Sequence, residues 1–195
     1  MSTTQPIRNK ELLKKFKEFY RVTEPNPRNY MIIIIGLNTA LRITDILNLT
    51  YDMVYQDGKV KKHITIKEKK TGKENIILLN DEARLELTKY HTILKDSDVH
   101  KKGNPYLFPS PRKENKPLSR YQAYRMIRAA AQSVGLGEHI SCHSLRKTFG
   151  YHAWKQGKDP IVIMFIFNHS SFQITKRYLC IEQDDKDAVF RDIKI

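Results

Sequence analysis

Ser141-Cys142-His143-Ser144-Leu145-Arg146-Lys147-Thr148-Phe149 is the stretch on which the reading of this 195-residue chain turns. Ser141 can cap a helix running to Gln156, where Gly157 stops it. His143 and Arg146 then fall at i and i+3 on one helical face. That pairing suits a phosphate. Arginine is always charged and forks onto two oxygens, while histidine donates or shuttles a proton. Taken alone, His-x-x-Arg usually marks a solvated helix face, so the neighbouring segments have to decide.

Downstream, Asp159-Pro160 opens an apolar helix that ends at Asn168-His169, and Ser171 caps another that carries Tyr178. Upstream, Ser119 caps a helix to Val134, stopped by Gly135 and Gly137. Residues 96–117 are rich in Gly and Pro and read as a long surface loop holding a short strand at Tyr106–Phe108. Asn80 or Asp81 can cap a helix to about Leu94. Ahead of it, His63–Lys67 alternates and Asn75–Leu79 is rich in β-branched residues, with Lys69-Lys70-Thr71-Gly72-Lys73 between them. This predicts a β-hairpin with a strongly basic tip. Tyr30–Leu49 is ambiguous: the Ile32–Ile35 run has strand propensity, but its length suits a buried helix followed by a short one from Arg42 to Leu49. Lys10–Tyr20 has apolar residues at helical spacing, and Pro25 and Pro27 break the chain after it. The fold class is mainly α with one small antiparallel β-sheet, an α+β domain spanning residues 1–195.

Composition narrows the function. Lys and Arg number 35 against 21 Asp and Glu, a formal charge of +14, and the commonest partner of such a surface is a phosphate backbone. Hydrophobic residues make up 40% of the chain, which is globular rather than disordered. The two cysteines, Cys142 and Cys180, are no disulfide framework, and with His143 and His169 they lack zinc-ligand spacing. No metal and no cofactor are expected. The N-terminus has no apolar signal region, and the runs Met31–Leu37 and Pro160–Phe167 fall far short of the ~20 residues a membrane helix needs. The expectation is a cytoplasmic protein with no membrane partner.

Arg42 lies in Thr39-Ala40-Leu41-Arg42-Ile43-Thr44-Asp45, between apolar segments where a bare surface arginine is unusual. A buried arginine needs an anionic partner, and an internal ion pair to Asp45 competes evenly with a functional role. His169, taken singly, reads as a helix-terminal histidine. Tyr121 and Tyr124 sit on an earlier helix with Met126 and Ile127, as packing or DNA-backbone residues.

In order, these segments resemble the catalytic domain of the tyrosine recombinases, the phage integrase family. Thr39 to Leu49 is similar to the family's first-arginine box, His143 to Phe149 to its second, and Asn168 to Leu179 to its last, with His169 nine residues before Tyr178. The resemblance covers roughly residues 8 to 190 and implies a site-specific recombinase that cuts and rejoins DNA without metal or ATP. It implies that Arg42 and Arg146 clamp the scissile phosphate, that His143 assists the proton leaving the nucleophile, and that His169 hydrogen-bonds the phosphate. Tyr178 attacks to give a 3′-phosphotyrosine. Lys70 protonates the leaving 5′ oxygen, and Asp45 braces the site. Lys69, Lys73, Arg120 and Lys147 are expected on the DNA. The chemistry is coherent, because a free tyrosine titrates near pH ~10 and needs cations and a proton acceptor to become a nucleophile.

Three positions depart from the family's usual spelling. Asn168 and Ala40 stand where Gly is common, and Lys147 where a histidine is common. Asn168 is expected to alter the turn that aims His169. Longer relatives carry a core-binding domain ahead of this one, whereas here residues 1–20 read only as a lead-in helix or linker. A short stand-alone recombinase and a catalytic fragment both remain open. Residues 180–195 form a tail, with Asp184, Asp185 and Asp187 opening a short helix and Ala188, Val189, Phe190 and Ile193 on its apolar side. The tail docks either on its own domain or, as the resemblance implies, on a neighbouring copy. The protein is then mostly monomeric in solution and a dimer to tetramer on double-stranded DNA. A type IB topoisomerase and a non-cutting DNA-binding regulator on the same scaffold are the competing functions.

Overall fold

A computed structural model describes residues 4–95, 103–137, 139–181 and 183–193; of residues 183–186 and 188 it describes the backbone only. The Ile32–Ile35 run resolves as helix. In α2, Pro27–Thr39, Asn26 caps the Asn29 N–H at 3.0 Å and Pro27 fills the first turn, where no amide is needed. All four isoleucines are buried. Full burial of each stabilises by about 1.5–3 kcal/mol, which outweighs their modest preference for strand. They can be buried all round because α2 is surrounded by its neighbours. On its faces pack α1 (Lys10–Glu18) with the π-turn Phe19–Thr23, α3 (Ile43–Leu47), α5 (Asp81–Lys95), α6 (Arg120–Ser133) and α7 (Cys142–Lys155). Gly36 lets α7 come close, since a Cβ there would meet the Leu145 side chain at 2.5 Å.

The expected hairpin is present as β3 (His63–Lys67) against β4 (Glu74–Leu78), with Thr65 opposite Ile76. Ile64 and Ile66 face the core, and the Glu68 N–H donates to the Lys73 carbonyl to close the tip. Gly72 turns it at φ 68°, a left-handed conformation that a side chain would resist. The single expected sheet is corrected to two. After α4 (Tyr51–Val54), a miniature hairpin pairs β1 (Tyr55–Gln56) with β2 (Lys59–Val60) around Asp57-Gly58. Asp-Gly is a strong hairpin signal in sequence. The strand expected at Tyr106–Phe108 is reduced to one bridge from Tyr106 to Thr50; Leu107 and Phe108 are buried as core residues of an irregular segment.

The last helices are α8 (Pro160–Ile166), α9 (Phe172–Leu179) and α10 (Gln183–Asp192). They lie outside the main core. A second, smaller cluster of Ala40, Ile163, Phe167 and Leu179 seats α8 and α9 on α7. Gly150 permits this close approach, because a Cβ there would meet the Phe167 ring at 2.7 Å. Among the described residues, no helix is long and apolar enough to cross a membrane.

Candidate active site

Four helix ends and one hairpin tip meet at the junction of the two clusters. Arg42 comes from the segment between α2 and α3. Ala40, just before it, holds φ 58° as the left-handed cap of α2. His143 and Arg146 come from the first turns of α7, where Ser141 and Ser144 form a reciprocal capping box. His169 follows α8, after Asn168 at φ 51°. Tyr178 lies in the last turn of α9. The departures Ala40 and Asn168 therefore both fall on left-handed residues. A glycine would adopt that backbone without strain, and Asn tolerates it better than Ala.

The Tyr178 hydroxyl is 2.5 Å from His143 Nε2, with the two rings edge to face. Arg146 is 1% exposed. Its Nη1 donates to the Ala40 carbonyl and its Nη2 to the Phe167 carbonyl, both at 2.5 Å, while Nε, also buried, has no partner. Nη2 also lies 3.5 Å from His169 Nε2. Because a guanidinium can only donate, that nitrogen is the acceptor, and His169 Nδ1–H then donates to Thr175 Oγ1 at 2.9 Å. The Tyr178 and Phe167 rings lie 5.8 and 4.5 Å from the Arg146 guanidinium carbon.

Burial, reinforced by the charge of Arg146, pushes the imidazoles of His143 and His169 each down to about 4. Both are therefore neutral at pH 7, and His143 can accept a proton. Burial, then the charge of Arg42, lowers Arg146 to about 10, where it is still a cation at neutral pH.

Arg42 finds its anionic partner in Glu68, not in Asp45. Asp45 instead accepts the backbone N–H of Lys69 at 2.9 Å, and burial raises its carboxyl above the usual range. Its brace thus acts on the hairpin. Glu68 is fully buried and also accepts from Thr71 Oγ1 at 2.8 Å and from the side-chain amides of Asn75 and Asn168 at 3.4 Å. Sequence reasoning missed it. The available signal was a single acid within the lysine run Lys67 to Lys73. Thr175, which orients His169, gave no comparable signal.

Beside this junction opens a cleft of about 830 Å³ lined by Arg42, Lys69, Lys70, Arg120, Tyr121 and His143 among others. Lys69, Lys70 and Arg120 are exposed, and Lys70 adds to the field that lowers His143. Lys73 is exposed on the hairpin but does not line the cleft. Lys147 is placed differently from expectation. It is buried, its ammonium donates to the Thr4 carbonyl at 2.6 Å, and it lies 6.0 Å from the Tyr178 ring centre. Arg146, His169 and Tyr178 are not among the residues that line the cleft. Among the described residues, no group of three or more His, Cys, Asp or Glu could hold a metal ion.

Two guanidiniums, two imidazoles and a phenol beside a basic cleft are the equipment of a phosphoryl-transfer site built on tyrosine. The pattern of the Phage integrase family matches residues 8–184, and the chain belongs to that family, the tyrosine recombinases. It is 40% identical to a "Probable integrase/recombinase YoeC" of Bacillus subtilis over 98% of this chain and 97% of that protein. It is 31% identical to the "Tyrosine recombinase XerD" of Rickettsia bellii over 72% of this chain, but spans only 47% of that longer relative. In fold it is similar to a crystal structure of XerA recombinase, at a TM-score of 0.79 and 21% identity, covering all of this chain and 66% of that one. It is also similar to XerH site-specific recombinase bound to palindromic difH substrate, at a TM-score of 0.75 and 21% identity over 96% of this chain and 52% of that one.

Proposed function

We propose that the chain catalyses site-specific DNA strand exchange, with Tyr178 as nucleophile. The observation that carries this reading is the Tyr178 hydroxyl 2.5 Å from a neutral, half-buried His143, against a guanidinium held by two carbonyls. Tyr178 Oη attacks the scissile phosphorus while its proton passes to His143. The bond from phosphorus to the 5′ oxygen breaks, Lys70 supplies that oxygen with a proton, and a 3′-phosphotyrosine remains. A 5′-hydroxyl from another strand reverses the steps. Arg42, Arg146 and His169 meet the charge on the non-bridging oxygens, the kind of fixed stabilisation that contributes most to such barriers. Arg42 already faces the cleft, whereas the Arg146 guanidinium is buried, with the Phe167 ring 4.5 Å and the Tyr178 ring 5.8 Å from its carbon, and has to be uncovered before it meets the phosphate. Double-stranded DNA lies along Lys69, Lys70 and Arg120, with Lys73 touching the backbone further out. The enzyme needs no metal or cofactor and works beside the bacterial chromosome in the cytoplasm.

Exchange requires more than one copy. Val189 and Phe190 on α10 and Ile193 just after it are 64%, 81% and 62% exposed, which favours docking on a neighbouring copy over docking on the chain's own domain. The side chains of Asp184, Asp185 and Ala188 lie outside the described residues.

A nicked suicide substrate tests the reading on denaturing gels. The wild type should form a covalent adduct in EDTA, and Tyr178→Phe should form none while still binding a half-site. Adduct of normal yield in the variant removes Tyr178 from the chemistry. No adduct with the wild type favours a non-cutting regulator, and relaxation of single circles without exchange between paired sites favours a topoisomerase.

A further inference from the structure

A site that must stabilise a growing negative charge nevertheless holds a fully buried carboxylate beside its cleft-facing arginine. Glu68 is that group, and its four donors come from three stretches of chain: the segment before α3, the hairpin and the turn after α8. One carboxylate oxygen accepts from Arg42 and from Thr71 Oγ1 at 2.8 Å. The other accepts from the amides of Asn75 and Asn168, each at 3.4 Å. Burial alone would raise its pKa, but Thr71 and Arg42 outweigh that and hold it below the usual carboxylate range. The carboxylate is therefore ionised at neutral pH.

Each donor leads to a group that must meet the phosphate. Arg42 is one itself. Thr71 directly follows Lys70 at the hairpin tip, and Asn75 is the second residue of the return strand β4. Asn168 directly precedes His169 and holds the left-handed turn between α8 and α9. Without an anchor, Arg42 and the hairpin tip would be long or exposed elements free to adopt many arrangements. The Arg42 contact uses one edge of the guanidinium, so the remaining N–H groups stay available to a phosphate. An anion here also relieves the repulsion between Arg42 and Arg146, which lie close enough for the first to lower the pKa of the second.

We infer that Glu68 is a positioning residue, the internal counter-ion that sets Arg42, Lys70 and His169 in register before the phosphate arrives. It touches no reacting atom. The inference rests on the strand-exchange reading above and assigns a role which that reading does not contain. Misplacing a catalytic group by about 1 Å is enough to slow a reaction by about 10²-fold, so the expected effects are large.

Glu68→Gln keeps the shape, removes one negative charge and replaces one acceptor oxygen with a donor. It should bind a half-site as tightly as the wild type or a few-fold more tightly, because the net charge beside the cleft becomes more positive. Single-turnover cleavage of the same half-site should nevertheless slow by about 10²-fold. On a substrate with sulfur in the 5′-bridging position, whose leaving group needs no proton, the defect should shrink, because the share due to a misplaced Lys70 disappears. Thr71→Val replaces the hydroxyl of an exposed residue with a methyl group, removing its bond to Glu68 and the weak one it accepts from the Lys73 N–H, and should leave folding intact. It should show a weaker form of the same pattern: slower on oxygen, nearly normal on sulfur.

Tighter binding with slower cleavage is the signature of positioning. Faster cleavage by Glu68→Gln would make Glu68 an electrostatic burden and overturn the inference. Binding, cleavage and melting temperature falling together, with equal defects on both substrates and no effect of Thr71→Val, would make it a packing residue and also overturn it. Failure of the strand-exchange reading looks different, since the wild type itself would then form no adduct.

Discussion

The two clusters that meet at the site are unequal. The larger gathers the isoleucines of α2 with Phe16, Leu107, Phe108 and much of α5 and α6, and it supports Arg42 and the hairpin. The smaller has four buried residues, and it supports the helix that carries Tyr178. Cations that must stand ready for a phosphate are seated on the firm part. Tyr178, the proposed nucleophile, rides on the smaller cluster, where local opening costs less than in the larger one. Such a division suits the proposed reaction, in which Tyr178 is carried away on a DNA strand and returns.

The largest test of this contrast removes one residue from each role. Tyr178→Phe should abolish covalent attachment and leave the melting temperature unchanged. Arg146→Ala should abolish it and also melt early. Two buried carbonyls then lose their donors, at roughly 1–3 kcal/mol each, and calorimetry beside the adduct assay separates the two cases. An Arg146→Ala protein as stable as wild type would mean that the arginine does not join the clusters.

A smaller pair of effects comes from trimming each cluster. Ile34→Ala should lower global stability by about 2–5 kcal/mol. Leu179→Ala should leave the global transition nearly in place but raise amide exchange across α8 and α9 and slow cleavage. Equal shifts in denaturant midpoint for both would show that one cooperative unit spans the site.

Acid should act on the junction next. His143 and His169 have ordinary pKa values near 6.5 and folded values of about 4. Between those values the unfolded chain takes up protons that the folded chain refuses, so stability falls as pH drops through that window. His169→Gln should flatten the slope of melting temperature against pH between 6.5 and 4. Ala40→Gly should do least. Releasing a left-handed alanine gains about 1 kcal/mol, and losing its buried methyl forfeits about 0.8, so chemical denaturation should show almost no net change.

Much of this was legible in the sequence. Caps at Asn80 and Ser119 and the Gly72 turn act locally, and local rules predicted them, whereas the pairing of His169 with Tyr178 came from the family resemblance. The helical state of Ile32–Ile35 depended on how many neighbours surround α2, which no window of sequence contains. The small strand at Tyr106 failed for the same reason: its apolar residues serve the core rather than a ladder. Glu68 stayed hidden because its partners lie between 3 and 100 positions away, and only the fold makes a solitary acid among lysines a hub. Lys147 was expected on DNA because charge on a helix normally faces out; the Thr4 carbonyl gives its ammonium a buried partner instead.

The double attachment of Arg146 also bears on how such chains decay once selection for recombination is relaxed. An arginine that only bound phosphate would drift as freely as the tyrosine. Here its guanidinium fastens the carbonyl of Ala40 to that of Phe167, so replacing it damages a chain that has already stopped cutting. Inactive descendants that keep the fold for DNA binding should therefore lose Tyr178 early and hold Arg146 late.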